Sequence, residues 1–246
     1  MQKAQKIWDN LSRQYFNNFN DNEIELEAVE NLYFAWPIIK KFIKKNIKNI
    51  KGERALDFGC GTGQICAELN SLGFITTGID YSQGMIDVAK RKTDKRIHLY
   101  LGDSKKVVEV AKKEGSFDLI ISILTFPFIE KIKPTIKDLH HSLTKGGYLC
   151  FAVFNENWVH EALNNNVDYE RSPGSKGIKK LIFNFGKNRK VDVFHRSANE
   201  YNKIFTDLGC KKRLEEYPLF TKKFITKVYP KMPKNISEYM ILGYQK

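Results

Sequence analysis

The first fifty residues carry apolar side chains at helical spacing, with polar residues between them. Over residues 4–15 the apolar positions are Ala4, Ile7, Trp8, Leu11 and Tyr15. Spacings of three and four residues predict an amphipathic helix there. A second helix is predicted over residues 23–34, and a third runs from Pro37 to residue 50 with its lysines toward water. We expect residues 1–51 to form a helical lid over a sheet that the rest of the chain supplies.

Apolar runs and amphipathic helices then alternate up to residue 154. Strands are predicted over residues 55–58, 74–79, 97–101, 117–123 and 148–154, and helices over 64–72, from Ser82, through Val107 and Ala111, and over 134–143. Strands that are apolar throughout are typical of a parallel sheet whose two faces are covered by helices. The pattern predicts a three-layer α/β core over residues 52–154.

The alternation stops after residue 155. Further strands are predicted over residues 180–185, 191–194, 211–217 and 238–244. The first two form a hairpin, and the last two close the sheet. Ser197 and Glu200 have the spacing of a capping box and begin a helix that ends at Gly209. We expect a cap with this hairpin over residues 155–194, and completion of the core, with an antiparallel C-terminal strand, over residues 195–246.

The composition is that of a folded chain, with 42% hydrophobic and 13% aromatic residues. No apolar run approaches ~18 residues, and the first residues lack the apolar segment of a secretory signal. We therefore expect a cytoplasmic protein without a membrane span. The four cysteines form no Cys-x-x-Cys pair and have no histidine at metal spacing, which favours a reducing compartment and no metal site.

The net charge of +13 raises the question of a nucleic-acid partner. The positive residues are mainly lysines, and many of them fall on the polar side of predicted helices. A solvated helix face accounts for lysines in such positions. Solvated faces are therefore the favoured interpretation, and a nucleic-acid surface stays open as the alternative.

Residues 54–64 join a predicted strand to a predicted helix through a turn with Gly59, Gly61 and Gly63. Glycine lets a ligand approach the backbone and permits positive φ, and the N-terminus of the following helix suits an anionic group. A nicotinamide dinucleotide fingerprint needs glycine where this chain has Gln64. Taken alone, the glycines also fit a tight structural turn.

Two aspartates give this turn a wider context. Asp80 ends the next predicted strand, and Asp103 follows the one after that. Open α/β sheets bind ligands at this carboxyl edge, where a carboxylate can accept both hydroxyls of a ribose. Three such features at the ends of successive strands favour a ligand site over a structural turn.

Four segments of the chain fall at these strand ends and turns: LDFGCGTG at 56–63, GIDYS at 78–82, GDS at 102–104 and FDLIIS at 117–122. In this order they resemble the motifs of the class I, Rossmann-like methyltransferases that depend on S-adenosyl-L-methionine (SAM). Weaker similarity to the small-molecule branch (methyltransferase type 11, ubiquinone-biosynthesis-like) runs from His195 to Gly209 and over residues 8–15. The resemblance implies a Rossmann-like core and methyl transfer from SAM to a small molecule, with S-adenosyl-L-homocysteine as product.

The resemblance also implies roles for individual residues around the methionine and ribose parts of the cofactor. The backbone at Gly59 and Gly61 would hold the methionine part, and Asp57 would support the turn. Asp80 would bind the ribose hydroxyls. The carbonyl of Ile123, at the end of the fourth predicted strand, would accept from the methionine ammonium.

Further residues would surround the adenine. Tyr81 and Met85 would flank the ring, and Asp103 would take its amino group. The Ser104 backbone would contact a ring nitrogen, although the lysine-rich helix that follows departs from the family pattern. Tyr15 would close over the cofactor from the lid.

Methyl transfer is an in-line displacement, so the protein mainly aligns the reactants and shields them from water. A base is needed only where the acceptor must lose a proton. Many relatives have histidines after the fourth strand, where this chain has residues TFPF at 125–128. His195, before the post-core helix, is the candidate base, and a structural histidine bonded to a backbone carbonyl is the alternative. His98, His140 and His141 are interpreted as structural or surface residues.

The favoured acceptor is a small molecule in an apolar pocket. Six aromatic side chains are candidates for its wall: Phe126, Phe128, Trp158, Phe183, Phe185 and Phe194. One alternative is an RNA or protein methyltransferase that uses a basic strip of Lys176, Lys179, Lys180, Lys187, Arg189 and Lys190. The other alternative is a SAM-binding subunit that transfers no methyl group.

Overall fold

A computed structural model describes residues 2–17, 34–173, 179–184 and 190–246. Its strands are β1 (Arg54–Phe58), β2 (Ile75–Asp80), β3 (His98–Leu101), β4 (Phe117–Ile123), β5 (Leu143–Phe154), β6 (Tyr169–Arg171), β7 (Lys180–Asn184), β8 (Lys190–Phe194), β9 (Lys211–Glu216) and β10 (Tyr239–Gln245). Its helices are α1 (Gln2–Asn17), α2 (Trp36–Asn46), α3 (Gln64–Leu72), α4 (Gln83–Lys92), α5 (Ser104–Glu114), α6 (Ile132–His141), α7 (Glu156–Asn164), α8 (Ala198–Asp207) and α9 (Lys222–Val228). The predicted helix over residues 23–34 lies almost wholly outside the described residues.

Seven strands form one sheet in the order β3-β2-β1-β4-β5-β10-β9. Strands β1 to β5 pair in parallel, whereas β10 runs antiparallel to both β5 and β9. This confirms the predicted mostly parallel sheet with an antiparallel C-terminal strand. The strand order reverses between β1 and β4, and at such a switch point the carboxyl ends of the strands leave a crevice for a ligand.

The two faces of the sheet carry separate hydrophobic clusters, as the three-layer prediction requires. In β4, Leu119 and Ile121 pack into one cluster and Ile120 packs into the other, because successive side chains of a strand point to opposite faces. The first cluster includes residues of α2 and α3, and the second includes residues of α5, α6 and α8. The helices therefore cover both faces and leave the strand ends accessible.

Strand β5 begins at Leu143, five residues before its predicted start at residue 148, and the C-terminus pairs with this added part. The Gly146 N–H donates to the Lys246 carbonyl at 3.0 Å, and the Lys246 N–H donates to the Gly147 carbonyl at 3.0 Å. This pairing brings residues 145–147, which lie between the predicted helix and the predicted strand, into β5. The apolar pattern of one segment cannot predict its pairing with a residue about a hundred positions away, so the longer strand was not predictable.

The cap contains a second, three-stranded antiparallel sheet in the order β6-β7-β8. Strands β7 and β8 are the predicted hairpin, and its turn at residues 186–188 lies outside the described residues. Strand β6 and helices α7 and α9 are additions that the sequence pattern did not predict. The division into lid, core, cap and completion remains a prediction. None of the described helices combines the length and the apolar character needed to cross a bilayer.

Candidate active site

A cleft of about 1350 Å³ opens at the carboxyl edge of the large sheet. We call one side the turn half; it lies at the ends of β1 to β3 and includes Asp57, Gly59, Gly61, Asp80, Met85 and Asp103. We call the other side the cap half; it lies beyond β4 and includes Phe154, Asp168, Phe183, Tyr229, Glu238 and Tyr239. The two halves are continuous, so ligands bound in each would lie in one cavity.

The glycine-rich turn is fixed to β2 and open to the cleft. The Gly59 N–H donates to the Ile79 carbonyl at 2.7 Å. Gly59 has φ of +79°, and a side chain there would collide with Thr125, so both backbone and space require glycine. At Gly61, with φ of +52°, an added Cβ would meet nothing within 4 Å. The Gly61 backbone therefore faces free space in which a ligand can approach closely.

Asp80 joins the turn to the start of α4. Its Oδ2 accepts the Gly61 N–H at 2.9 Å, and its Oδ1 accepts the Ser82 N–H at 2.8 Å. Burial raises the pKa of Asp80, the two N–H donors lower it, and the Asp9 carboxylate raises it. Each carboxylate oxygen keeps a further lone pair for another donor. Asp80 can therefore hold the turn and accept ligand hydroxyls at the same time.

Asp57 lies beneath the turn at the end of β1 and is almost fully buried. Burial raises its pKa to about 7; the Cys66 thiol, which donates to Oδ2 at 3.5 Å, lowers it, and the Asp80 carboxylate raises it. The carboxyl group thus titrates near neutral pH directly under the Gly59 turn.

The adenine-side candidates also line the turn half. Met85 is buried, and Tyr81 lies beside it at the start of α4. Burial and the Asp80 carboxylate raise the pKa of Tyr81, which keeps its hydroxyl protonated. Asp103 caps α5, since its Oδ1 accepts the Lys105 N–H at 2.8 Å, and the Ser104 hydroxyl donates to Asp138 at 2.7 Å.

Nine of the ten predicted cofactor residues line this one cleft. They are Asp57, Gly59, Gly61, Asp80, Tyr81, Met85, Asp103, Ser104 and Ile123. The tenth, Tyr15, lies in α1, and its side chain is outside the described part of the chain. The structure therefore brings together residues that are spread over 67 positions of sequence, from 57 to 123.

Helix α1 lies against the turn half through contacts that were not predicted. The Asp9 carboxylate accepts the Ser82 hydroxyl at 2.5 Å and the Gly84 N–H at 3.1 Å, at the N-terminus of α4. The Gln5 amide donates to the Tyr81 carbonyl at 3.0 Å. Trp8 packs edge-on against Phe128, with ring centroids 5.1 Å apart. In the sequence, the similarity of residues 8–15 to the family's opening helix was the only indication that α1 would lie near this site.

The chain bends sharply where β4 ends. Leu124 has φ of +52°, which is rare for a residue with a branched side chain, and its N–H donates to the Ala152 carbonyl at 2.9 Å. This bend directs Thr125 toward Gly59 and leads into the short 3₁₀ turn Phe126–Phe128. No feature of the sequence pattern indicates the positive φ of Leu124.

Arg196 fastens the segment after this bend to β8. Its guanidinium donates to the carbonyls of Phe194 at 2.9 Å, Ile129 at 2.7 Å and Glu130 at 2.6 Å. The residue belongs to the His195-Arg196 pair that the resemblance singled out, but its role is to hold backbone and not to contact the cleft.

His195, the candidate base, does not line the cleft. Its side chain is buried directly after β8, in a small space shared with Pro127, Val159 and Tyr201. Burial lowers its pKa to about 4, and its Nε2 has no hydrogen-bond partner within the described residues. None of the five histidines, all at described positions, lines the cleft. The structure therefore does not bring a histidine to the lining of the cleft.

Aromatic rings line the cap half, as expected for an apolar pocket. Of the six candidates, Phe128, Phe183 and Phe194 line the cleft, whereas Phe126 and Trp158 are core residues and Phe185 lies outside the described residues. Phe154, Tyr229 and Tyr239 also line the cap half, and these were not among the candidates. Tyr229 and Tyr239 come from the C-terminal region, which the sequence assigned only to closing the sheet.

The chain is similar to known methyltransferases. Residues 56–151 match the profile of a family described as "Methyltransferase domain". A malonyl-[acyl-carrier protein] O-methyltransferase from Bacillus anthracis is 33% identical over 129 residues, which are 51% of this chain and 45% of that protein. A ubiquinone biosynthesis O-methyltransferase from Coxiella burnetii is 30% identical over 128 residues, which are 52% of this chain and 54% of that protein. The chain thus matches about half the length of these curated relatives.

The fold is also that of a solved SAM-dependent methyltransferase from Mesorhizobium loti. The TM-score is 0.62 at 18% identity, and the superposition covers 84% of this chain and 96% of that structure. The strand order, the open turn at Gly61 and the carboxylate at Asp80 fit the same kind of cofactor. Residues 56–151 are therefore similar to methyltransferase domains, and the chain has the Rossmann-like fold of a SAM-dependent methyltransferase.

Proposed function

We propose that this protein transfers the methyl group of SAM to an oxygen, nitrogen or carbon atom of a small molecule bound in the cap half. The observation that carries the proposal is the continuous cleft, in which nine cofactor candidates share a cavity with an aromatic wall. Pockets of roughly 300–1,000 Å³ suffice for a drug-sized ligand. At about 1350 Å³ the cleft has room for a cofactor and a small acceptor together.

The residues of the turn half fit SAM. Gly59 and Gly61 would hold the methionine part, and Asp80 would accept the ribose hydroxyls through its free lone pairs. Tyr81 and Met85 would lie against the adenine. When bound, SAM supplies an activated methyl group on its sulfonium centre.

The protein itself contributes by positioning the acceptor and the cofactor and by excluding water from the reacting atoms. Trp8 and Phe128 place two aromatic rings between α1 and the bend after β4, at the side of the cleft. Such a wall keeps water from the reacting atoms and holds the acceptor near the methyl group. His195 is not assigned as a base, because its side chain lies outside the cleft lining.

The test is methyl transfer from labelled SAM into the separated small-molecule, RNA and protein fractions of a cell extract. We expect label in the small-molecule fraction, with SAM binding measured independently by calorimetry. The Asp80→Ala variant serves as control, since it should bind and transfer poorly. Label confined to RNA or protein, or SAM binding without any transfer, would contradict the proposal and favour one of the two alternatives.

A further inference from the structure

Two of the four cysteines lie together at the glycine-rich turn. Cys60 directly follows Gly59, lines the cleft and is 7% exposed. Cys66 belongs to the first turn of α3 and is fully buried. Both are free thiols, and they pack into the same small apolar cluster. The two thiols are therefore next to the backbone that would hold the cofactor.

Gly78 of β2 leaves the space that the two sulfur atoms share. A Cβ added at Gly78 would lie 2.7 Å from the Cys66 Sγ and 3.0 Å from the Cys60 Sγ. The two thiols also hydrogen-bond to each other. A disulfide needs its sulfur atoms at about 2 Å, so thiols that already face each other need only a limited movement to form one. Such a bond would close a short loop over residues 61–65.

The two thiols differ in access and in acidity. Cys60 lines the cleft, so a small oxidant that enters the cleft reaches it before Cys66. The hydrogen bond with Cys66 lowers the pKa of Cys60, but burial and the carboxylates of Asp80 and Asp57 raise it above its usual value. The hydrogen bond with Cys60 and burial raise the pKa of Cys66 further. Cys60 is therefore the thiol that reacts first, and Cys66 is its neighbour for closing a disulfide.

We propose that Cys60 and Cys66 form a reversible disulfide that lowers the affinity of the turn half for the cofactor. Hydrogen peroxide supplies the oxidising equivalents. The Cys60 sulfur attacks one peroxide oxygen, the O–O bond breaks, and a sulfenic acid and one water form. The Cys66 sulfur then displaces the sulfenic hydroxyl, which leaves as a second water with the thiol proton. The proposal rests on the proposed function and adds a regulation of the same site.

The disulfide acts on the backbone that approaches the cofactor. The Cys60 N–H donates to the Ile79 carbonyl at 3.1 Å, and the Gly61 N–H donates to Asp80 Oδ2 at 2.9 Å. Drawing the Cys60 side chain toward α3 shifts the backbone between these two bonds.

Oxidation also changes the surroundings of Asp57. The Cys66 thiol donates to Asp57 Oδ2 at 3.5 Å, and a disulfide sulfur has no proton to donate. Asp57 would lose this partner directly under the turn. Because linkage is reciprocal, a disulfide that weakens cofactor binding is itself disfavoured by bound cofactor to the same degree.

The test treats the full chain with hydrogen peroxide at mildly alkaline pH, with and without saturating S-adenosyl-L-homocysteine. Both cysteines lie in the single tryptic peptide 55–90, so the disulfide is detected by mass spectrometry as the loss of two hydrogen atoms from that peptide. Calorimetry measures the affinity for S-adenosyl-L-homocysteine before oxidation, after it, and after reduction with dithiothreitol.

We expect oxidation to weaken binding about tenfold, which is within the usual range of coupling between two sites. Dithiothreitol should restore the affinity, and S-adenosyl-L-homocysteine should slow formation of the disulfide. Absence of the Cys60–Cys66 disulfide after treatment would overturn the proposal. So would a disulfide-containing protein whose affinity stays within about twofold of the reduced protein.

Single variants assign the effect to this pair. Cys60→Ser and Cys66→Ser should each bind equally before and after peroxide, and the comparison within one variant cancels any change in its basal affinity. Cys210→Ser, which removes a partly buried thiol outside the cleft lining, is the matched control and should lose affinity as the wild type does. Loss of affinity after peroxide in both pair variants would overturn the proposal and point to another oxidisable residue such as Met85. Where a variant does not fold, the wild-type measurements still decide.

The cofactor titration separates the two levels. Reduced wild-type protein that does not bind S-adenosyl-L-homocysteine would overturn the proposed function and this inference with it. Binding by the reduced protein that does not respond to the disulfide would overturn this inference alone.

Discussion

At the scale of single residues, Asp80 has the largest expected effect on the cofactor. Its carboxylate accepts two backbone N–H groups, and Asp80→Ala would leave both without that partner. We expect cofactor affinity to fall about 10- to 100-fold, in line with the cost of losing charge-assisted hydrogen bonds. Calorimetry with S-adenosyl-L-homocysteine measures this. Asp87→Ala, on the exposed side of α4, where the Asp87 carboxylate accepts a hydrogen bond from the Gln83 amide at 2.7 Å, is the control. An affinity within about twofold of wild type would argue against the assigned role.

Asp57 should make stability depend on pH. Its pKa in the folded protein is about 7, against 3.8 as the ordinary value. The folded state therefore holds a proton that the unfolded state releases between these values, so the contribution of Asp57 to stability is greatest below about pH 4 and is lost as pH rises toward about 7. Asp57→Asn removes this dependence and should be more stable than wild type at pH 8.

The measurement is urea unfolding of the cofactor-free protein at pH 5 and pH 8. The difference between variant and wild type cancels the other titrating groups. We expect that difference in unfolding free energy to be larger at pH 8 than at pH 5. The same difference at both pH values would show that Asp57 does not titrate in this range.

Residue roles differ in how far the sequence reveals them. The position of Asp80 in the cleft was predictable because strand ends follow from apolar runs, and the ends of parallel strands meet at one edge of the sheet. The contact of Asp9 with Ser82 spans 73 residues and depends on how α1 docks, which no local pattern contains. For His195, the sequence predicts a position before the post-core helix, but it does not reveal that the side chain is buried away from the cleft lining.

At the scale of elements, α1 should control access to the turn half. Asp9 accepts two donors at the N-terminus of α4, in the manner of a helix cap supplied by another helix. Asp9→Ala should cost about 1 kcal/mol at this contact, which corresponds to about fivefold faster amide exchange over residues 2–17. Hydrogen-exchange mass spectrometry measures it. Asn10→Ala, at an exposed position of α1, is the matched control. Unchanged exchange in the Asp9 variant would show that other contacts hold the helix.

Elements with a continuous apolar run or stripe were predictable, and elements that depend on a partner were not. Strand β4 reads as buried from its own residues, Phe117–Ile123. Strand β6 has three residues, two of them exposed, and exists through its pairing with β7. Helix α9 has seven residues and packs Ile225 into a cluster made by the cap. The acceptor side of the cleft is built largely from such dependent elements, so its chemistry was hidden in the sequence.

At the scale of the whole molecule, the net charge of +13 raises the question of a free basic strip beside the cleft, and the described residues of that strip are paired with carboxylates. Three of the six basic residues of the hypothetical strip are described, and each has a carboxylate partner. Lys179 pairs with Glu200 at 2.5 Å, Lys180 with Asp192 at 3.1 Å and Lys190 with Glu170 at 2.7 Å. Lys176, Lys187 and Arg189 lie outside the described residues. Paired lysines release few counterions on binding a phosphate backbone, which weakens the case for an RNA acceptor.

We therefore expect weak RNA binding despite the positive charge. A single-stranded RNA of about 20 nucleotides should bind with a Kd above ~10⁻⁶ M at about 150 mM salt, which is the non-specific range. A plot of log affinity against log salt should have a slope of magnitude about 2 or less, since few phosphates are neutralised. Fluorescence anisotropy at several salt concentrations measures both quantities. A slope near −4 or steeper would mean that about six phosphates are contacted, and the RNA methyltransferase alternative would then replace the small-molecule proposal.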